Sequence, residues 1–383
     1  MISDSCIEQV NLDCWQNFLS LLPAGWEKDA AELCVMKGMR QDKSLLNTMR
    51  VLMIHIGTGA SLRETALRGR IANLCNMTPA ALYHRLIKLG PLFERLCQRI
   101  VDNNNSLQNN DEYRFCIVDG SEVREPGPTG SAYRIHYSFM LPHFRCNYLK
   151  VTPNRGKDVG ESLKKYPVHS GDMYIADRGY CRTNGLFHVE RNGGHFLVRY
   201  LPSSVPLFSD NKETRFPLEN KLQTLQNTGD AKAWNCYIRN PESKEMLPVR
   251  LCVIRKDPDS IRRSQLRARE KSNKNNTKIQ DKTLFFNEYI MVITTFPIQD
   301  FSLHKILEIY RWRWQIELVF KRFKSLLALG CLPKTTDESS KAWIHGKMLL
   351  ALIIERTSIC GCSFSPWRQT TKEQFQRELM EAF

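Results

Sequence analysis

Residues 303–329 carry two stripes of side chains at helical spacing. Advancing about 100° per residue, Ile309, Trp312, Ile316, Phe320, Phe323 and Leu327 fall on one apolar face, the spacing of a helix packed on a core. Tyr310, Arg313, Glu317 and Lys324 run beside that face at steps of three, four and seven, within roughly 60° of one another by the same arithmetic. The pattern predicts one continuous helix with a carboxylate set among cations and a phenol at the edge of a buried face. Arg313, Glu317, Lys321 and Lys324 would also suit an ordinary solvated face. The stripe therefore acquires chemical meaning only if other carboxylates converge on Glu317.

Upstream, apolar positions at helical period in residues 45–56 begin a helical N-terminal domain over residues 1–105. Ser61 with Glu64 makes a capping box for one short helix. Thr78 caps the next, with Pro79 at its first position and Gly90-Pro91 expected to stop it. Two such capped helices, the second displaying Tyr83, His84, Arg85 and Lys88, suit a helix-turn-helix that reads a DNA end, although ordinary helical bundles share the pattern. The polar, apolar-poor run at 102–111 is expected to be a linker.

Beyond it the period changes to two. Residues 113–118, 133–140 and 144–151 read as strands, with Pro142 at the second turn and Asp119-Gly120-Ser121 ending the first. A short helix is expected at 159–165, a buried strand at 173–176 ending in Asp177-Arg178-Gly179-Tyr180, a helix at 186–191 and a strand at 195–200. Three strands, helix, strand, helix, strand is the order of the ribonuclease H fold. It places Asp119 and Asp177 at carboxyl ends of strands, where open α/β sheets gather ligands. Each aspartate alone is equally ordinary turn chemistry. The expected architecture is α/β, a ribonuclease H-like core in two parts, 112–200 and 290–335. A β-rich insertion at 201–289 interrupts it, with strands at 234–238 and 249–254, a basic arm at 262–278 and an exit strand at 285–294. A helical tail over 336–383, with an apolar helix at 342–355, completes the chain.

Charge changes this picture more than composition does. The chain of 383 residues is 42% hydrophobic, ordinary for a globular protein, but 55 Lys and Arg against 40 Asp and Glu leave it at +15. The bases are segregated into 50–99 and 255–282 while the first 33 residues are acidic, which favours nucleic-acid surfaces over a generic solubility device. Thirteen cysteines without paired zinc-finger spacing read as reduced thiols. No apolar run is long enough to span a bilayer and the first residues lack the bases of a targeting peptide, so a cytoplasmic protein is expected.

Asp119, Asp177 and Glu317 together form a set of hard oxygen ligands of the kind that holds two divalent ions for in-line phosphoryl displacement, with Mg²⁺ or Mn²⁺ the ions that fit. With these residues in place the chain resembles the DDE transposases of the bacterial insertion-sequence-four family, whose mark is Tyr-x2-Arg-x3-Glu-x6-Lys. Tyr310, Arg313, Glu317 and Lys324 match that spacing without a gap, VDGS holds the first Asp and IADRGY the second; the similarity runs over residues 115–352. The resemblance implies a transposase that cuts and joins the terminal inverted repeats of its element within a paired, homodimeric synaptic complex, with target DNA as second substrate. It implies metal-ligand roles for Asp119, Asp177 and Glu317, and DNA contacts for Tyr310, Arg313 and Lys324, with Arg178 and Lys321 as further candidates. Some relatives stack a flipped base on an aromatic; Tyr289, Phe296, Trp312 and Trp314 are the candidates here. Two rivals share the acids: a ribonuclease H-like nuclease or resolvase, and a catalytically silent domesticated DNA-binding protein.

Overall fold

A computed structural model describes residues 14–39, 42–106, 113–125, 131–155, 159–333 and 336–362. The tail expected from 363 onward and most of the expected linker lie outside the described residues. The described fold is mixed α/β, built on one sheet of nine strands: β1 (Arg114–Arg124), β2 (Ser131–Leu141), β3 (Arg145–Pro153), β4 (Asp172–Ala176), β5 (His195–Arg199), β6 (Leu207–Phe208), β7 (Ala231–Arg239), β8 (Met246–Arg255) and β9 (Tyr289–Thr294). Their spatial order is β3-β2-β1-β4-β5-β9-β8-β7-β6. β1, β2 and β3 pair antiparallel, and β4 and β5 add to β1 in parallel. β9 pairs antiparallel with both β5 and β8, so the strands of residues 201–289 extend the core's own sheet rather than standing apart from it.

Strand alternation divides the apolar residues between two faces. Cys116 and Val118 of β1 enter a core with Leu186, Phe187 and Val189 of the Thr183–Arg191 helix. Ile117, Ile175 and Tyr137 point the other way, into a core shared with Ile316, Phe320 and Phe323 of a helix at Trp314–Leu326. That same core takes in the N-terminal helices, through Leu52 and Ile56 of Leu45–Thr58 and Leu89, Phe93 and Leu96 of Pro79–Ser106, and the long Asp337–Cys362 helix.

Several local expectations are corrected by packing. The helix begun at Pro79 does not stop at Gly90-Pro91 but continues to Ser106 with Pro91 inside it. Pro91 costs a hydrogen bond there, but the helix lies along Asp337–Cys362 so closely that a Cβ on Gly90 would sit 3.0 Å from that of Ala342, and its apolar face is fully buried. Its last turn occupies the start of the expected linker, and Asn104 donates to the Cys146 carbonyl of β3 at 2.8 Å. Of the residues proposed for a recognition helix, Arg85 is turned inward and Tyr83 and Lys88 are engaged by neighbouring segments, while His84 is exposed. Arg85 is buried and donates to the Asp42 carbonyl and Thr48, Lys88 donates to the Lys37 carbonyl, and Tyr83 bonds Thr336. Ser61 and Thr78 do cap their helices, but the Glu64 carboxylate turns forward to Arg68 at 2.6 Å. The helix expected at 159–165 is only a single 3₁₀ turn at Leu163–Lys165, and residues 285–286 end a short helix, Asp281–Phe286, instead of opening β9. The basic arm is a helix, Pro258–Lys274, capped by Asp257 and without a buried residue. No helix among the described residues is long and apolar enough to cross a membrane, and the ten cysteines whose side chains are described are free thiols.

Candidate active site

Register alone brings the first two acids together. β1 and β4 run in parallel with Ile117 opposite Ile175; Asp119 lies two residues further along β1, and Asp177, two residues past Ile175, is the first residue beyond the end of β4. Asp119 therefore shares the side of Ile117, the face covered by the Trp314–Leu326 helix, and the Asp177 charge acts on Tyr310 and Arg313 of the stretch that leads into that helix. β1 does not end at Asp119, as the sequence had suggested, but runs on to Arg124 with Asp119 paired to Tyr137 of β2. What ends there is the parallel pairing, because the chain after Asp177 turns into a 3₁₀ turn at Arg178–Tyr180. A buried phenol joins the two ends: Tyr166 Oη donates to the Asp119 carbonyl at 3.2 Å and lies 3.0 Å from Tyr180 Oη.

The signature stretch is two helices, Leu303–Arg311 and Trp314–Leu326. At the join the amides of Trp312, Arg313, Gln315 and Ile316 bond three residues back, so the winding tightens to 3₁₀ without leaving the right-handed region. Phe320 and Phe323 meet Tyr137 edge-on with ring centroids 5.8 and 5.7 Å apart, and Trp312 meets Phe115. The apolar stripe is buried as expected, save that Trp312 is only partly covered. Tyr310 is buried too, rather than standing on the rim.

Asp119, Glu317, Lys321 and Lys324 line one cleft of about 560 Å³ with Gly120, Ser121, Phe320 and Ser325. Asp177 is not among its walls. It is linked to the others through Arg313, whose Nη2 donates to Glu317 Oε1 at 2.6 Å. Burial works against the Arg313 charge, but Tyr310, Glu317 and Asp177 around it more than offset this and hold its pKa above the ordinary value. Burial likewise pushes the Tyr310 phenol to about 12, with the Asp177 charge adding to the shift. The Asp119 carboxyl is pushed up to about 7, chiefly by burial and then by the Glu161 and Asp177 charges, against the opposing pull of the Gly120 amide and Arg313.

Family comparison decides what this arrangement belongs to. A model described as the transposase DDE domain matches residues 152–354, more than half of the chain and all of the stretch from before Asp177 to beyond Lys324. The chain belongs to that family. It is similar to InsL of insertion sequence element IS186A of Escherichia coli (strain K12), a transposase by name, at 24% identity over 92% of this chain and 96% of that one. It is also similar to the transposase for insertion sequence element IS421 of Escherichia coli, at 25% identity over 81% and 84%. Among solved structures it is similar to piggyBac transposase in a synaptic complex with hairpin DNA, at 10% identity and a TM-score of 0.48 over 96% of this chain and 78% of that one. The protein is a DDE transposase of the insertion-sequence-four family, an enzyme that acts on DNA.

Against a divalent cation, the transposase's donors fit in kind but are not assembled. Carboxylate oxygens suit a hard ion, and the burial and like charges that disfavour ionised Asp119 would be relieved by one. Yet no three His, Cys, Asp or Glu side chains among the described residues stand close enough to hold an ion. The positive charge beside Glu317 is that of Arg313.

Reasoning from the sequence missed several residues of this transposase. Glu161 accepts from Arg134 Nη1 at 2.7 Å, and its carboxylate fills the space where a Cβ on Gly179 would be, 1.8 Å from Oε2. It comes from an irregular segment without periodic signal. Arg199, at the end of β5, opens a second cleft of about 670 Å³ lined also by Arg255, Lys256, Arg263 and Arg267. Burial, with Arg199 and Arg178 nearby, pushes the Lys256 ammonium down to about 8. The place of Arg199 at a strand's carboxyl end was the available signal. Of the four aromatics considered for a flipped base, Tyr289 and Phe296 are buried and Trp312 packs on Phe115, whereas Trp314 is 52% exposed.

Proposed function

We propose that this transposase cleaves and joins the ends of its element at a ribonuclease H-like site in which Asp119, Asp177 and Glu317 hold Mg²⁺, two ions in all, with Mn²⁺ able to substitute. The observation that supports this best is the register of β1 and β4 on the face of the Glu317 helix, with Asp119 and Glu317 sharing a cleft edged by Lys321 and Lys324. Divalent ions there would activate the attacking water or 3′ hydroxyl and neutralise charge growing on the phosphate. The chain's own residues supply position. Lys321 and Lys324, both exposed, draw phosphate oxygens to the mouth of the cleft, Arg178 does so from beyond Asp177, and Arg313, backed by the buried Tyr310 phenol, flanks the scissile linkage. Tyr166 and Tyr180 keep the strand ends at fixed spacing. On this reading the chain binds terminal inverted repeats and target DNA as a homodimer, with the basic helix of residues 258–274 following the backbone and the N-terminal helices contributing to end binding.

The test is strand transfer of a pre-cleaved end by the full chain in Mg²⁺ and in Mn²⁺. Asp119→Asn, Asp177→Asn and Glu317→Gln should stay folded and still bind ends, yet neither nick nor join, a loss of at least about a thousand-fold if they remove most of the metal-dependent stabilisation. Lys324→Ala should be slowed and partly rescued by more DNA, because a phosphate contact orients rather than reacts. Joining by Glu317→Gln at the wild-type rate would end this reading.

A further inference from the structure

We propose that Arg313 is an internal counter-cation of the DNA-free transposase: it occupies Glu317 until a DNA phosphate draws it away, so that DNA and divalent metal bind cooperatively. The inference rests on the reading of Asp119, Asp177 and Glu317 as metal ligands. It starts from the mismatch in the site, three acids of suitable chemistry that do not converge on a common point.

An exposed Arg–Glu pair four residues apart on a helix is ordinary and nearly neutral. This pair differs in its surroundings. The Arg313 side chain is 17% exposed, it contacts Glu317 Oε1 at 2.6 Å, and the Tyr310 phenol and the Asp177 charge act on the same guanidinium. Its charge therefore lies between the second and third acids, where the charge of a metal ion would be required. A guanidinium cannot discharge itself to make room, and two cations sharing those carboxylates repel. While Arg313 holds Glu317 Oε1, that carboxylate's hold on a metal is weakened by the guanidinium charge, and it is restored when Arg313 leaves.

The structure provides both a destination and the freedom to reach it. A guanidinium fork matches a phosphate as well as it matches a carboxylate. Lys321 and Lys324 line the mouth of the cleft that Glu317 enters, and neither forms an ion pair among the described residues, so an incoming phosphate is drawn towards Arg313's neighbour. Arg313 itself stands at the 3₁₀ join, where two stretches of regular α-helix meet and the i→i−4 ladder is interrupted. Re-aiming its side chain there does not require either helix to unwind. The exchange of one partner for another makes metal affinity depend on DNA, and by linkage makes DNA affinity depend on metal to the same extent.

Mn²⁺ binding to the full chain, read from the electron paramagnetic resonance of the free ion, tests this. Without DNA, Arg313→Gln should bind Mn²⁺ more tightly than the wild type, on the order of ten-fold for a coupling of ordinary size, and adding Glu317→Gln should cancel the gain. In the wild type, a duplex carrying the element's end should tighten Mn²⁺ beyond the sum of protein and duplex measured apart, and Mn²⁺ should tighten the duplex by the same factor. If Arg313→Gln binds Mn²⁺ no better than the wild type while Glu317→Gln weakens it, the counter-cation role is wrong and the metal site stands. If Asp119→Asn and Glu317→Gln both leave Mn²⁺ binding unchanged, the metal-ligand reading fails and takes this proposal with it. Should Arg313→Gln melt, the wild-type linkage decides, and independent affinities for Mn²⁺ and duplex would overturn the exchange.

Discussion

Glu355, near the end of the last described helix, shows how a single buried acid ties stability to pH. Burial pushes its carboxyl up to about 8, although the Tyr137 phenol donates to it and the Cys146 amide favours the charged form. In the unfolded chain the same group ionises near its ordinary value of 4.5. Between those values the folded state keeps a proton that the unfolded state has lost, so this contribution to stability is full below about 4.5 and fades as pH rises through about 8. Glu355→Gln retains the volume and an acceptor for Tyr137 without titrating. Its melting temperature should therefore fall less than that of the wild type between pH 5 and pH 8, followed by circular dichroism. Parallel curves for the two proteins would show that Glu355 titrates normally.

At the scale of the element, the Pro258–Lys274 helix is the clearest case of structure without packing. Asp257 accepts the Ser260 amide at 2.8 Å and starts it, Pro258 occupies its first turn, and no residue along it is buried. Such a helix owes little of its stability to the core, and its arginines are available to a polyanion. Replacing Arg262, Arg263, Arg267 and Arg269 with Ala should change stability by no more than about 0.5 kcal/mol per site, as expected of exposed positions. The same variant should lower the slope of log affinity for DNA against log salt by roughly 0.9 for each phosphate contact removed. An unchanged slope in filter binding would mean that DNA does not follow this helix.

The whole molecule is held by a core that joins parts a domain map would separate. The Leu45–Thr58, Pro79–Ser106 and Asp337–Cys362 helices pack together and against the same face of the sheet that carries Asp119. Their closeness depends on small residues: a Cβ on Gly346 would lie 2.5 Å from Ile56 Cδ1 and 3.4 Å from Phe93, both fully buried. Gly346→Leu should wedge the helices apart at a cost of about 1–3 kcal/mol, typical of overpacking. Because the core is continuous, calorimetry of this variant should show one shifted transition for the helices and the sheet together. Two transitions, with only one displaced, would mean that the N-terminal helices fold as a unit of their own.

Local pattern was sufficient for the elements whose cause is local. The alternation of β1 to β3, the caps at Ser61 and Thr78, the apolar stripe from Ile309 to Leu327 and the acids in their motifs were all legible, because period and capping chemistry act within a few residues. The sequence by itself also determined the family, since the spacing of Tyr310, Arg313, Glu317 and Lys324 is a property of the chain alone. Tertiary structure decided the rest. Pro91 remains helical and Arg85 turns inward because the neighbouring helix and loop supply the burial and the acceptors that no local rule contains. Glu161 reaches the site through Arg134 and the bare face of Gly179, contacts between segments with no common period. The four-residue spacing of Arg313 and Glu317 was legible, but the burial of that guanidinium was not, because it follows from how Tyr310, Asp177 and Glu317 crowd it at the join of two helices.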